Sequence, residues 1–166
     1  MHWLRVARTA ALALLFAPAV APARVWLPPP GHVQIPLWPT VVPDALPHPR
    51  PESVGTGEGK RPWTKVGDVS RPTITVYTAT GQNTGAAAVV FPGGGYQVLA
   101  MDLEGTDVCD WLSGRGITCV LLKYRVPNSG PTWTNGGRYY PKVQTALQDA
   151  QRLSLIHISE PTRPER

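Results

Sequence analysis

Hydrophobic and polar positions divide the chain into an early stretch without period, a middle with strand and helix patterns, and an end that breaks the pattern. The middle is dominated by Ala86-Ala87-Ala88-Val89-Val90-Phe91, an unbroken apolar run leading into Pro92-Gly93-Gly94-Gly95-Tyr96. Such a run, bounded by Gly85 and Pro92, predicts a buried strand of a parallel sheet covered on both faces. Ahead of it, Thr73-Ile74-Thr75-Val76-Tyr77 alternates and predicts a strand toward the sheet edge. Behind it, Leu103, Val108, Trp111 and Leu112 fall on one face of a helix over 102–113, with Asp102 as N-cap and Gly114 as stop. Ile117-Thr118-Cys119-Val120-Leu121-Leu122 predicts a second buried parallel strand. Strand, helix and strand within about thirty residues make a βαβ unit. Residues 125–140 carry Pro127, Asn128, Gly130, Pro131, Asn135, Gly136 and Gly137 and predict a long loop. A second helix is expected from Pro141, with Val143, Ala146, Leu147 and Ala150 on its inner face.

The first quarter reads differently. Arg5 and Arg8, the short apolar stretch 10–20 and Ala21-Pro22-Ala23 have the form of a secretory signal peptide over 1–23, with an uncleaved anchor as the alternative. Export to the periplasm or medium, with a mature start near Arg24, is the expectation. From residue 25 to 51, proline recurs every few positions. That excludes helix interiors and central strands and predicts an extended arm, its Trp26, Ile35, Leu37 and Trp38 lying in part against the domain. Residues 52–62 are polar and glycine-rich and predict a loop, so the arm spans 24–62 and the globular part begins near Trp63. Residues 153–163 resemble the translation of a sequencing-library adapter. The native sequence is therefore expected to stop near Arg152, leaving 153–166 outside the fold; a genuine short strand is the alternative.

Composition narrows the function classes. At 166 residues the chain suffices for one domain. The net charge of +5 is spread without a basic stripe, which argues against a nucleic-acid partner. Cys109 and Cys119 are too few and wrongly spaced for zinc. They can be buried as small apolar side chains or, in an oxidising compartment, form a disulfide. Asp102 and Glu104, two apart on a helix, do not form a glycosidase pair.

The glycine loop is where chemistry is expected, because ligands of open α/β sheets bind beyond the carboxyl ends of the strands. A bare tight turn is the alternative. Phe91-Pro92-Gly93-Gly94-Gly95-Tyr96, Asp102-Leu103-Glu104-Gly105, Leu122-Lys123-Tyr124-Arg125-Val126-Pro127, Tyr140-Pro141 and Leu147-Gln148-Asp149-Ala150 occur in an order that resembles the N-terminal half of an α/β-hydrolase. The nearest type is that of secreted bacterial esterases of the acetyl-xylan-esterase and lipase-like group, over roughly 33–152. The resemblance implies the first part of an α/β-hydrolase fold, truncated, with a mostly parallel sheet and flanking helices. It also implies an oxyanion hole made by the amides of Gly94 and Gly95, Gly93 shaping the turn and Tyr96 lining the site. Pro92 stands where many relatives carry histidine, so the loop must be held by something else. Asp149 is expected to bond the segment around Arg125, and Lys123, Tyr124 and Arg125 to pair with neighbouring carboxylates, with substrate contact as the alternative. Asp107 and Asp110 are expected on a solvated helix face. Trp133 and Tyr139 are either sugar-stacking residues or loop anchors.

No Gly-x-Ser-x-Gly occurs in the chain. In this family the nucleophilic serine, the acid and the histidine all follow the second helix. The expected function is thus that of a fragment of a serine hydrolase acting on carboxylic esters, carrying the oxyanion loop but inactive by itself. The full-length form would take a small-molecule or polysaccharide ester, with no membrane partner after signal cleavage. A peptidase of the same fold and a non-catalytic carbohydrate-binding module are the alternatives. In such a fragment the strands at 86–91 and 117–122 would show open edges.

Overall fold

In the computed structural model, residues 24–127, 132–134, 137–139 and 143–159 are described, with backbone alone for 132–134, 137–139 and 156–159. The predicted signal peptide and the last residues of the tail lie outside them. In chain order the elements are β1 (Gln34–Pro36), β2 (Ser53–Gly57), β3 (Trp63–Gly67), β4 (Thr73–Tyr77), β5 (Ala87–Val90), β6 (Val98–Ala100), a single π-helical turn (Asp102–Thr106), α1 (Asp107–Ser113), β7 (Thr118–Lys123), β8 (Thr132–Thr134), β9 (Gly137–Tyr139) and α2 (Gln144–Ser159). The fold is mixed α/β.

The main sheet has the order β1-β4-β7-β5. β7 is central, pairing in parallel with β5 (Val89 opposite Val120) and antiparallel with β4 (Thr75 opposite Leu121). Its apolar run accounts for this position, since Cys119, Leu121 and Leu122 are fully buried. The predicted βαβ unit is present as β5–α1–β7. A smaller antiparallel sheet, β2-β3-β6, sits beside it, and β8 with β9 form a hairpin.

Several expectations are corrected. β4 is not itself the edge strand but lies beside it: β1, supplied by the proline arm, pairs with it (Ile35 opposite Ile74) and takes the edge. An edge is where a proline such as Pro36, lacking a donor, fits. The segment 86–91 is not buried. β5 is the other edge strand, paired only with β7 among the described residues, and Val89 and Phe91 are each 44% exposed. The open edge expected of both apolar strands is found at β5 and not at β7. Residues 52–62 are not all loop, since Ser53–Gly57 pairs with β3 along its whole length. The arm is anchored as expected by Trp26 and Leu37, both buried, whereas Ile35 is exposed. Part of the predicted long loop is the β8–β9 hairpin.

The helix over 102–113 is also different. Thr106 N–H reaches back to the Met101 carbonyl, and Asp107 N–H to that of Asp102, so the first turn is wider than an α-turn. Asp102 is inside this turn and is not an N-cap. The inner face is made by Gly105, Cys109 and Ser113, and Leu103, Val108 and Trp111 are exposed. Small residues let the helix lie close to the sheet. A side chain at Gly105 would press on Leu121 and Pro92, and the Ser113 hydroxyl donates to the Thr78 carbonyl at 2.6 Å. Gly114 ends α1 as expected. Cys109 and Cys119 form a disulfide tying α1 to β7. α2 begins at Gln144 and continues through the tail to Ser159. Ala146, Asp149 and Leu153 face inward, while Leu147 is exposed.

Candidate functional site: the glycine loop after β5

The glycine loop is shaped by bonds within itself and by bonds from the π-turn and the end of β7. β5 ends at Val90, and the chain turns outward through Phe91 to the buried Pro92. The loop then folds on itself. Gln97 and Val98 donate to the Gly94 carbonyl (3.1 and 3.3 Å), and Ala100 donates to that of Gly93 (2.8 Å). The backbone is left-handed at Gly95 (φ 62°) and Tyr96 (φ 60°), and at Gly94 φ is 137°. A Cβ at Gly94 would run into the Val98 carbonyl oxygen, so glycine is required there. Tyr96 holds a backbone conformation that is costly for a bulky residue, and its ring is half exposed at the mouth of the loop.

The amides divide into two groups. The Gly93 N–H donates to the Glu104 carboxylate at 2.9 Å. Among the described residues, no hydrogen bond uses the N–H of Gly94 or Gly95. Two adjacent unclaimed donors beyond the carboxyl end of a strand can receive an oxyanion. The structure therefore groups Pro92, Gly93, Gly94, Gly95 and Tyr96, and it leaves unclaimed the two amides that the sequence reading selected.

The support that Pro92 cannot provide comes from Tyr124, just past the end of β7. Its hydroxyl donates to the Pro92 carbonyl at 2.6 Å, and its ring meets that of Tyr96 at 6.5 Å between centroids. Burial, with smaller contributions from Tyr96 and Glu104, pushes the Tyr124 hydroxyl up to about 12, so it remains a donor across the neutral range. Under the loop, burial alone would raise the Asp102 carboxyl. The amides of Thr64 and Leu103 and the Thr64 hydroxyl outweigh it and hold the group below the usual carboxylate range. Asp102 thereby pins the π-turn to β3, with Met101 N–H donating to the Thr64 carbonyl alongside. The sequence reading missed Glu104, Tyr124 and Thr64 as neighbours of the loop. Thirty-two residues separate Tyr124 from Pro92, and no local pattern marks such a contact.

The other singled-out residues are structural. Lys123 pairs with Glu52 at 2.7 Å with both side chains buried, and Glu52 also accepts the Trp26 N–H. Arg125 and Asp149 form a buried ion pair at 2.8 Å, as expected of Asp149. Asp107 and Asp110 are on an exposed face, Asp107 paired with Arg61 at 2.5 Å. Trp133 and Tyr139 stand on the two strands of the hairpin, and their side chains lie outside the described residues. Among the described residues, no group of three or more His, Cys, Asp or Glu is placed to hold a metal ion, and no helix is long and apolar enough to cross a membrane. A cavity of about 810 Å³ lies between the proline arm and the Arg125 end of β7, lined in part by Trp38, Asp44, Arg71 and Val143; it includes no residue of the glycine loop.

No known family profile matches the chain. Over 49 residues it is 41% identical to an acetylxylan esterase of Xylanibacter ruminicola, a match that takes in 30% of this chain and 10% of that protein. Among solved structures it resembles an acetyl ester-xyloside bifunctional hydrolase of Caldicellulosiruptor lactoaceticus, at 26% identity and a TM-score of 0.45, over 73% of this chain and 34% of the other. The chain thus spans a tenth of the first relative and about a third of the second.

Proposed function

We propose that this chain is the N-terminal part of an exported α/β-hydrolase, a serine enzyme that cleaves acetyl or other acyl esters, with acetylated plant polysaccharide as its substrate class. In the complete protein the serine attacks the ester carbonyl, the histidine moves the proton, and the N–H groups of Gly94 and Gly95 receive the oxyanion of the tetrahedral intermediate. The observation that carries this reading is the pair of unclaimed amides at the carboxyl end of β5, next to a Gly93 amide already held. The likeness to an acetylxylan esterase supports the choice of ester. The chain alone, without a nucleophile elbow, hydrolyses nothing.

The test has two steps. The source DNA is read past the codon for Arg152, where an open frame should show Gly-x-Ser-x-Gly within roughly thirty residues, one strand–helix unit. In the protein so completed, Gly94→Ala keeps the amide, but its Cβ would meet the Val98 carbonyl oxygen. It should displace the loop amides and lower kcat on an acetyl ester by up to about 10²- to 10³-fold, the order lost with one oxyanion donor, while the far-ultraviolet circular dichroism stays that of the wild type. A true stop codon after Arg166, or an unchanged kcat in the variant, overturns the proposal.

A further inference from the structure

The carbonyl of Pro92 and the N–H of Gly93 are two ends of one planar trans peptide group. That group is bonded at both ends. Tyr124 donates to its oxygen at 2.6 Å, and Glu104 accepts from its nitrogen at 2.9 Å. The two partners come from different elements, the end of the central strand β7 and the π-turn before α1. Both are fixed independently. The Tyr124 ring is buried, and the π-turn is pinned by Asp102 to β3. The peptide itself needs this. The proline ring sets φ at Pro92, but ψ of Pro92 and φ of Gly93 can rotate, and a rotation about either that is not compensated by the other swings the chain that follows. Such a swing would redirect the two amides that follow. Gly93 also leaves room for the clamp, since a Cβ there would occupy the position of the Glu104 carboxylate.

We infer that Tyr124 and Glu104 are positioning residues that lock the Pro92–Gly93 peptide from both ends and so fix the direction of the Gly94 and Gly95 amides. The inference rests on the oxyanion reading above for its catalytic consequence, but not for its structural one. Neither residue touches the reacting atoms.

The experiment uses the protein encoded by the completed gene, with Tyr124→Phe, Glu104→Ala, Glu104→Gln and the Tyr124→Phe/Glu104→Ala pair. Tyr124→Phe keeps the buried ring, and Glu104→Gln keeps an oxygen that can accept the Gly93 N–H. Hydrogen exchange is read over residues 92–97, and kcat and KM are read on 4-nitrophenyl acetate. Tyr124→Phe and Glu104→Ala should each speed loop exchange roughly tenfold and lower kcat roughly 10- to 100-fold, with KM nearly constant. Glu104→Gln should restore most of the loss. Because both residues hold one peptide, the double variant should fall well short of the product of the single effects. Unchanged loop exchange in both single variants, or fully multiplicative effects, overturns the lock. Faster exchange with unchanged kcat upholds the lock and overturns the oxyanion reading instead. If the gene proves to encode no nucleophile, the exchange comparison on the present chain decides the lock alone.

Discussion

Replacing Asp149 by asparagine should destabilise the fold more than any other single change of one charge. Asp149 has no exposed surface, and the Arg125 side chain is 6% exposed. The carboxylate accepts from the Arg125 backbone N–H at 3.0 Å, from Nε at 3.0 and 3.1 Å, from Nη2 at 2.8 Å and from the Trp38 indole at 2.8 Å. Asparagine offers one acceptor oxygen in place of two, and its amide must face donors. The variant would leave a buried guanidinium without a counter-charge, a loss of about 3–5 kcal/mol. The lower end applies, because Arg125 keeps the carbonyls of Pro43 and Thr145 and the Gln148 side chain as neutral acceptors. About 3 kcal/mol corresponds to a fall in Tm of roughly 6–12 °C for a chain of this size. Circular dichroism melts of wild type, Asp149→Asn and Asp107→Asn test this, the last removing the exposed pair with Arg61, which should leave Tm unmoved. A Tm for Asp149→Asn within a degree of wild type refutes the reasoning. Equal losses in both variants would show that burial is not the cause.

Two more predictions follow from burial and covalent closure. Burial pushes the Tyr77 and Tyr124 hydroxyls up to about 12, with Asp110 adding to it at Tyr77 and Tyr96 and Glu104 at Tyr124. The folded chain therefore keeps protons that the unfolded chain sheds near pH 10, so this stability is complete below about pH 10 and is lost as pH rises toward 12. Urea midpoints measured across that window should fall with pH and flatten in a Tyr77→Phe/Tyr124→Phe variant, and a flat wild-type profile refutes it. The Cys109–Cys119 bond spans ten residues, so Cys109→Ala/Cys119→Ala should cost about 2–3 kcal/mol. The unreduced protein should titrate no free thiol, and two titratable thiols would contradict the pairing.

What could be read from the sequence was what depends on neighbours along the chain. The apolar runs gave the strands β5 and β7, and alternation gave β4, because hydrophobic period reports element type directly. The sheet position of each strand could not be read, because it depends on which strand lies alongside. Val89 and Phe91 look like core residues in the chain and are half exposed in the fold. Ser53–Gly57 has two glycines and one apolar residue in five, too weak a strand signal to outweigh its loop-like composition. Its place is set instead by pairing with β3. In the site, the run of three glycines marked a turn that needs close backbone approach, as at Gly94, whereas Tyr124 and Glu104 carry no mark of a backbone partner.

The π-turn bears on the arrangement of the site. Periodicity over 102–113 assumes 3.6 residues per turn, and one wider turn at Asp102–Thr106 shifts the positions before it relative to those after. Of the four apolar residues only Leu103 is moved by it; Val108, Trp111 and Leu112 all lie in α1, and Val108 and Trp111 face outward there. The same turn sets Gly105 against Pro92 and leaves Glu104 within hydrogen-bond reach of Gly93. The irregular turn thus holds the helix start against the glycine loop. Its local cost is offset where Asp102 anchors the turn to Thr64.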